Sequence, residues 1–308
     1  MNQAPSTAHP EPRLGLDLGG TKIAAVVLDP AGEARWEQRA ATPRHDYDAT
    51  LRAMRDLVAA GDAVVGARCS VGIGMPGAIS PSTGLVKNAN STWLNGRRLP
   101  EDLERLVGRP LRLANDANCL AVSEAADGAA AGATVVFGVI LGTGTGGGIV
   151  VRGSVVTGAN AIAGEWGHNP VPWPDPADLP GPACYCGRRG CIETVLSGPG
   201  LAADHLRRGG AAMASEAVVA LAAAGDPLAR ETMAVWTRRL AKSLAAVVNL
   251  LDPDVLVVGG GLSRIPSVYQ DVPRLWTEWI FSDHVGTRLV PARHGDASGA
   301  RGAARLWG

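Results

Sequence analysis

The chain has 308 residues and a formal net charge of zero, which excludes the basic footprint of a nucleic-acid binder and a polybasic membrane patch. Its length exceeds that of a usual single core, so two lobes are expected. With 46% apolar but only 4% aromatic residues, the cores must be built from Ala, Val, Leu and Ile. No stretch reaches the roughly 18 apolar residues of a spanning helix. Residues 1–12 have neither a basic start nor an apolar run, so they read as a disordered tail rather than a signal peptide. Five cysteines, three of them within eight residues, suggest a cytoplasmic metal site rather than a disulfide framework.

In chain order, residues 14–18 form a short apolar strand that ends in Asp17-Leu18-Gly19-Gly20-Thr21-Lys22, and residues 23–28 resume as a second strand. A third strand fits 34–39. A helix over 47–60 places Leu51, Met54, Leu57 and Val58 on one face. A buried strand at 71–75 stops at Pro76-Gly77. A short strand at 111–113 precedes Asn115-Asp116, and 117–126 reads as helix. The pattern then restarts: a strand at 135–141, the glycine turn Gly142-Thr143-Gly144-Thr145-Gly146-Gly147-Gly148, and a strand at 149–151. A strand, a threonine-bearing glycine turn and a returning strand thus occur twice, over one hundred residues apart, which suggests a duplicated α/β domain. A long helix over 227–251, a strand at 254–258 running into Gly259-Gly260-Gly261, and a helical tail at 297–306 complete the reading. The fold class is α/β with two lobes, and a cleft between them is the expected site.

Glycine turns of this kind are either tight hairpins or phosphate cradles, because backbone amides can approach an anion where no side chain intervenes. Neither turn matches a Walker or Rossmann fingerprint, since both patterns require a helix after the loop. Asp17 reads either as a magnesium ligand acting through water or as a polar strand end. Lys22, inside the first turn, reads as a solvated lysine. Cys184-Tyr185-Cys186-Gly187-Arg188-Arg189-Gly190-Cys191 has the spacing C-x-C-x4-C. With His168 upstream it makes a tetrahedral Cys3His zinc set, closed to water and therefore structural; the alternative is a loop of reduced thiols. Cys69 and Cys119 read as core residues. Candidate general bases are Asp116, Glu165 and Glu193. Asp116 lies at a strand's carboxyl end, although capping of the helix that starts at residue 117 would also explain it. Glu165 and Glu193 flank the cysteine loop.

Taken together, Asp17 to Lys22, Gly74-Met75-Pro76-Gly77, Asn115-Asp116-Ala117-Asn118, Gly142-Thr143-Gly144, Gly164-Glu165-Trp166-Gly167-His168 and the cysteine loop leading to Glu193 resemble the ROK sugar kinases. Residues 87–96 and 165–170 look most like the fructokinase/mannokinase branch. The resemblance implies an actin-like, ribonuclease-H-like ATPase fold: a small lobe at 13–117 with 296–308 packing back on it, and a large lobe at 118–295 holding the zinc loop. It implies that Asp116 is the catalytic base and that Gly77, Asn90, Asn115, Glu165, His168 and Glu193 contact the sugar. By the same resemblance Asp17, Gly19, Gly20, Thr21, Lys22, Gly142, Thr143 and Gly144 serve the ATP phosphates with Mg2+, and Gly259, Gly260 and Gly261 the adenosine. His168 would both bind Zn2+ and face the sugar. The activity implied is ATP-dependent phosphorylation of a free hexose at its 6-hydroxyl by a cytoplasmic homodimer. Fructose leads, then mannose, with N-acetylglucosamine, N-acetylmannosamine or glucose as the alternative. Sugar-responsive repressors of this family carry a helix-turn-helix before the first glycine turn, but only about a dozen residues precede it here. A sugar sensor without catalysis is opposed by the intact Asn115-Asp116 pair.

Overall fold

A computed structural model describes residues 11–307 of the chain; the tail expected at residues 1–12 lies outside them except for Glu11 and Pro12, and the Pro12 carbonyl accepts from the Ser70 amide at 3.1 Å. The elements that carry the argument are, in chain order, β1 (Arg13–Leu18), β2 (Lys22–Leu28), β3 (Ala34–Ala41), α1 (Tyr47–Val65), β4 (Ser70–Met75), β5 (Ala78–Ile79), β6 (Val86–Lys87), α2 (Leu99–Val107), β7 (Leu111–Asn115) and α3 (Asp116–Ala126). They continue with β8 (Val135–Leu141), β9 (Thr145–Val151), β10 (Ser154–Val155), α4 (Glu193–Leu196), α5 (Gly198–Arg207), α6 (Ser215–Ala224), α7 (Pro227–Leu251), β11 (Val255–Gly259), α8 (Pro266–Gln270), α9 (Val272–Leu275), β12 (Arg288–Pro291) and α10 (Ser298–Ala304).

The chain divides into two compact units. The first takes the residues up to Gly128, Gly153–Ala163 and the chain from Asp296 on. Its sheet runs β3-β2-β1-β4-β7, with β1 antiparallel to β2 and parallel to β4, and β4 parallel to β7. β1 is buried on both faces, as a parallel strand between layers must be. Leu14, Leu16 and Leu18 enter a core with Met54, Leu57 and Val58 of α1. That helix starts where the Asp46 carboxylate accepts from the Ala49 amide at 2.9 Å and ends at Gly66 in the left-handed region.

On the other face of the sheet lies α10, a run of Ser, Gly and Ala broken only by Arg301. Its approach is so close that a Cβ at Gly15 would overlap the Ala300 carbonyl, and one at Gly72 would overlap that of Ala303. A Cβ at Gly302 would overlap the Cys119 carbonyl of α3. The Ser298 hydroxyl donates to the buried Glu124 carboxylate of α3 at 2.9 Å. Because α3 is one helix clamped to α10 along its length, the first unit extends to Gly128 and does not break between residues 117 and 118.

The second unit, Ala129–Arg152 with Gly164–Gly295, repeats the scheme. Its strands run β9-β8-β11-β12, with β8 antiparallel to β9 and parallel to β11, and β11 parallel to β12. This is the order and sense of β2-β1-β4-β7, so the duplication read from two glycine turns is present in the strand topology. α7 starts at Pro227 with Asp226 as its cap, and Trp236, Leu240 and Leu244 of its buried face pack on the β8 and β11 core. Among the described residues no helix is long and apolar enough to cross a membrane.

The second glycine turn is shorter than expected. β9 begins at Thr145, and Gly146, Gly147 and Gly148 pair with Ile140, Val139 and Gly138 of β8. Those glycines serve packing, since a Cβ at Gly147 would stand 2.5 Å from the Phe137 ring and 2.8 Å from the Gly164 carbonyl.

The backbone contact of α10 is directly testable. Gly302→Ala forces a methyl into the Cys119 carbonyl, and neither helix can yield without disturbing the sheet. It should cost at least about 2 kcal/mol and lower Tm by several degrees. Thermal melting of the variant at the wild-type Tm would refute the contact.

Candidate functional site

In the first unit the polar residues gather around the carboxyl ends of β1, β4 and β7, where open parallel sheets place their ligand sites. The glycine turn is tight: the Gly19 amide donates to the Lys22 carbonyl at 3.0 Å. Thr42 locks it from outside, its hydroxyl donating to the Gly19 carbonyl at 2.8 Å and its amide to the Thr21 carbonyl at 3.0 Å. Gly20 lies against Ser91, with room for a Cβ 3.7 Å from its hydroxyl, so the turn adjoins the loop that carries Asn90. Lys22 reaches Asp296 at 3.2 Å, both side chains being about half exposed, a pair that contributes little to stability.

Gly77 has φ of 73°, and a Cβ there would collide with the Lys87 carbonyl and stand 2.6 Å from the Ala89 amide; only glycine fits. The Asn95 side chain completes this loop, accepting from the Ala89 amide and donating to the Ala89 carbonyl, both at 2.9 Å. Asn90 itself is exposed. Asn115 donates to the Gly77 carbonyl at 3.1 Å and caps α3 by accepting from the Ala117 amide at 2.9 Å. Asn115 is thus the cap residue, and Asp116, the first helical residue and partly exposed, accepts from the same Ala117 amide at 2.8 Å.

Asp17 stands behind this group, against the first turn of α10, where a Cβ at Gly299 would lie 2.5 Å from its carboxylate. Burial pushes its carboxyl up to about 6, with the Lys22 ammonium acting against that shift. The Cys119 thiol is pushed far above its usual value by burial, with the Asp17 and Asp116 carboxylates adding in the same direction. Both carboxylates are thus close to one buried sulfur. Cys69 is also buried, its thiol raised to about 12 mainly for that reason, so both are core cysteines.

In the second unit, Gly164-Glu165-Trp166-Gly167-His168 is pressed onto β9. Gly164 has φ of 90° against the Gly147 carbonyl, Gly167 lies on the Thr145 carbonyl, and the Trp166 indole donates to the Gly146 carbonyl at 2.8 Å. Glu193, the first residue of α4, accepts from the Thr145 amide at 2.9 Å, and a Cβ at Gly144 would lie 2.7 Å from the same oxygen. The Gly142 carbonyl accepts from the Gly198 amide at the start of α5, at 2.8 Å. One carboxylate and one helix end therefore hold the turn Gly142-Thr143-Gly144. Gly260, with φ of 87°, lies against the Leu141 carbonyl at the end of the neighbouring strand, so the third glycine cluster meets the second turn.

His168, Cys184, Cys186 and Cys191 converge, their ligand atoms all within 4.8 Å of one another. His168 Nδ1 lies 3.6 Å from Cys184 Sγ, and Cys186 Sγ lies 3.6 Å from Cys191 Sγ. Tetrahedral zinc with Zn–S bonds of about 2.3 Å spaces its sulfurs about 3.8 Å apart, so the donor set fits that ion. The loop is a knuckle: the Cys184 amide donates to the Arg188 carbonyl at 2.8 Å, and Gly187 and Gly190 turn the chain at φ of 86° and 67°. The Arg188 amide is the largest of the influences that pull the Cys186 thiol below its usual value. Pro170 and Cys191 form a β-bridge, which ties the knuckle to the segment carrying His168. Buried side chains of α7 hold the approach to it, Arg239 bonding Asp178 at 2.7 Å and Lys242 the Trp173 carbonyl at 2.7 Å.

The ROK family profile matches residues 13–308. Among curated proteins, the N-acetyl-D-glucosamine kinase of Yersinia pseudotuberculosis is 40% identical over 296 residues, 95% of this chain and 97% of the relative. The enzyme of that name from Shigella boydii is 42% identical over 297 residues, 95% and 98% of the two chains. Among solved structures, the ROK hexokinase of Thermus thermophilus superposes with a TM-score of 0.84 at 31% identity, covering 95% of this chain and 96% of that one. A Streptomyces griseus ROK glucokinase bound to glucose and AMPPNP gives 0.77 at 29%, covering 96% and 98%. These relatives share the actin-like ATPase fold, and this chain belongs to the ROK family.

Proposed function

We propose that this chain transfers the γ-phosphoryl group of ATP to the 6-hydroxyl of an N-acetylated hexosamine, N-acetylglucosamine first. It is an ATP-dependent sugar kinase of the ROK family. The observation that carries the sugar is identity of 40% and 42% over nearly full length with N-acetyl-D-glucosamine kinases. The fructose preference expected from residues 87–96 gives way to it. Within that segment Asn95 spends its side chain on the Ala89 backbone, so likeness there reports loop architecture as much as sugar choice. A cavity of about 310 Å³ beside Asn115, lined by Met75, Ala78, Ile79 and Leu113, supports the same reading, because an acetamido methyl needs apolar surroundings.

Phosphoryl transfer is chiefly positioning and charge stabilisation. Asp116 accepts the proton of the 6-hydroxyl as that oxygen attacks the γ-phosphorus in line and ADP leaves. Asn115, Gly77 and Asn90 hold sugar hydroxyls in this reading, as do Glu165, His168 and Glu193: an amide side chain both donates and accepts, an ionised carboxylate accepts, and an imidazole bound to metal through one nitrogen donates from the other. The amides at Gly19 to Thr21 and at Gly142 to Gly144 hold phosphate oxygens, with Lys22 beside the first turn, and Gly259 to Gly261 serve the adenosine. Asp17, a carboxylate buried beside the first glycine turn, would help hold a magnesium ion, which would supply charge neutralisation. The residues His168, Cys184, Cys186 and Cys191 would hold a structural zinc, and the knuckle so closed would keep His168 and, through α4, Glu193 in place.

A coupled ADP-release assay across N-acetylglucosamine, N-acetylmannosamine, glucose, mannose and fructose tests the substrate, with N-acetylglucosamine leading in kcat/KM. A lead for fructose would overturn the sugar and leave the kinase standing. In the same assay Asp116→Asn should lower kcat by about 10² to 10⁴, and a variant keeping half its activity would remove Asp116 from the role of base.

Asp17 should impose a pH dependence on stability. Its folded value of about 6 lies above the ordinary 3.8, so between about pH 4 and 6 the folded chain keeps a proton that the unfolded chain has lost. That contribution, roughly 3 kcal/mol at most, is full below pH 4 and lost as pH rises through 6. Asp17→Asn should therefore melt higher than wild type at pH 8 and close to it at pH 4, and magnesium with ATP at pH 8 should narrow the gap. Equal differences at both pH values would show that Asp17 is not a buried, costly charge.

Elemental analysis should find one zinc per chain, and Cys186→Ser should lose the metal and several degrees of Tm together. Purified protein with well under one zinc per chain would sink the metal site.

A further inference from the structure

Ser91 follows Asn90, and the chain is fixed on both sides of it. Ala89 is clamped by Asn95, whose side chain accepts from its amide and donates to its carbonyl, both at 2.9 Å, and Leu94 is fully buried. Ser91 is itself only 3% exposed. It opens a short 3₁₀ turn over Thr92–Leu94, at the position from which a serine side chain ordinarily accepts a backbone amide, yet it makes no such bond. Among the described residues its hydroxyl has no hydrogen-bond partner. Proteins seldom bury a hydroxyl in that state, because the group has given up water for nothing. Its direction is also defined. Among the described residues, a Cβ at Gly20 would meet one atom within 4 Å beyond its chain neighbours, the Ser91 Oγ at 3.7 Å. The hydroxyl therefore faces the first glycine turn, across space that the missing Gly20 side chain leaves open.

We propose that Ser91 is a further catalytic residue of the phosphoryl transfer: its O–H is donated to a γ-phosphoryl oxygen of ATP. This rests on the reading of the first glycine turn as a phosphate cradle and of Asn90 as a sugar contact. A hydroxyl set between the two meets the group that passes from one to the other, which is the γ-phosphoryl and not the phosphates that stay with ADP. In the transfer the sugar 6-oxygen forms its bond to the γ-phosphorus, the bond from that phosphorus to the bridging oxygen of ADP breaks, and the 6-hydroxyl proton goes to Asp116. Ser91 keeps its own proton throughout. A donor fixed in advance stabilises the charge on the transferred oxygens without having to reorganise as the reaction proceeds.

The test is Ser91→Ala, which removes one oxygen and leaves the clamps of the loop in place. The kcat/KM for ATP should fall about ten- to a hundredfold, the loss expected for a hydrogen bond to a charged group, while the calorimetric Kd for the preferred sugar stays within about twofold of wild type. Without sugar, the Kd for AMPPNP should rise by at least about threefold and that for ADP by less than about twofold, because only the triphosphate analogue offers a γ-phosphate. Ser91→Cys, close in shape but a weak donor, should lose activity as the alanine variant does. Tm should not fall in Ser91→Ala, since the lost hydroxyl has no partner in the protein. Wild-type kcat/KM in that variant would overturn the proposal, as would equal losses for AMPPNP and ADP, or a loss confined to the sugar. A drop of several degrees in Tm would overturn it too, by making Ser91 a support for the loop. Wild-type protein that phosphorylates none of the sugars would sink the functional reading, and the comparison of AMPPNP with ADP would still decide whether Ser91 meets the γ-phosphate.

Discussion

The contact between α10 and the first sheet constrains everything built on that unit. Glycines at 15 and 72 on the strands and at 302 on the helix bring backbone against backbone, with no side chain between. Such contacts gain dispersion over their whole length, but they tolerate no added atom. The closeness decides the chemistry. It sets the first turn of α10 at Gly299 over the Asp17 carboxylate and seals Cys119 between α3 and the sheet. That burial raises the Asp17 carboxyl toward neutrality, so a charge needed at this strand end is one that a cation stabilises.

The second unit has the same strand order, yet it holds its glycine turn differently. In the first unit Thr42 closes the turn from β3's end with a hydroxyl and an amide. In the second, Glu193 and the start of α5 close it, and Glu193 follows Cys191 of the knuckle by two residues. The metal knuckle, the turn Gly142-Thr143-Gly144 and the segment Gly164 to His168 therefore form one rigid assembly built on the glycines of β9. Closing the Cys3His set would fix this assembly without meeting a substrate, and a site must hold its groups to within a fraction of an ångström.

Much of this was legible in the residues. Strand and helix positions followed from apolar periodicity, and β8 and α7 have the limits the pattern predicts. The Cys3His set followed from spacing, because ligands close in sequence on a glycine-bearing loop have few ways to avoid one another. Elements such as β9 were harder. Gly146, Gly147 and Gly148 read as turn because glycine lacks a side chain to announce a strand, whereas their role is to let Trp166 and Gly164 approach. Thr42 and Asn95 carry no local signal: each acts through a partner across a loop, at a distance that only folding sets.

By itself the sequence determined the α/β class, the twofold repeat, the converging Cys3His set and the candidate base, because these depend on residue type, local spacing and periodicity. The tertiary structure alone decided that the Asn115 side chain also bonds the Gly77 carbonyl, and that Glu193 holds the second glycine turn. It also decided that α10 buries Asp17 and that the Ser91 hydroxyl faces the first glycine turn. Each of those depends on where a side chain points once its own element is packed against another, and no pattern along the chain records that direction.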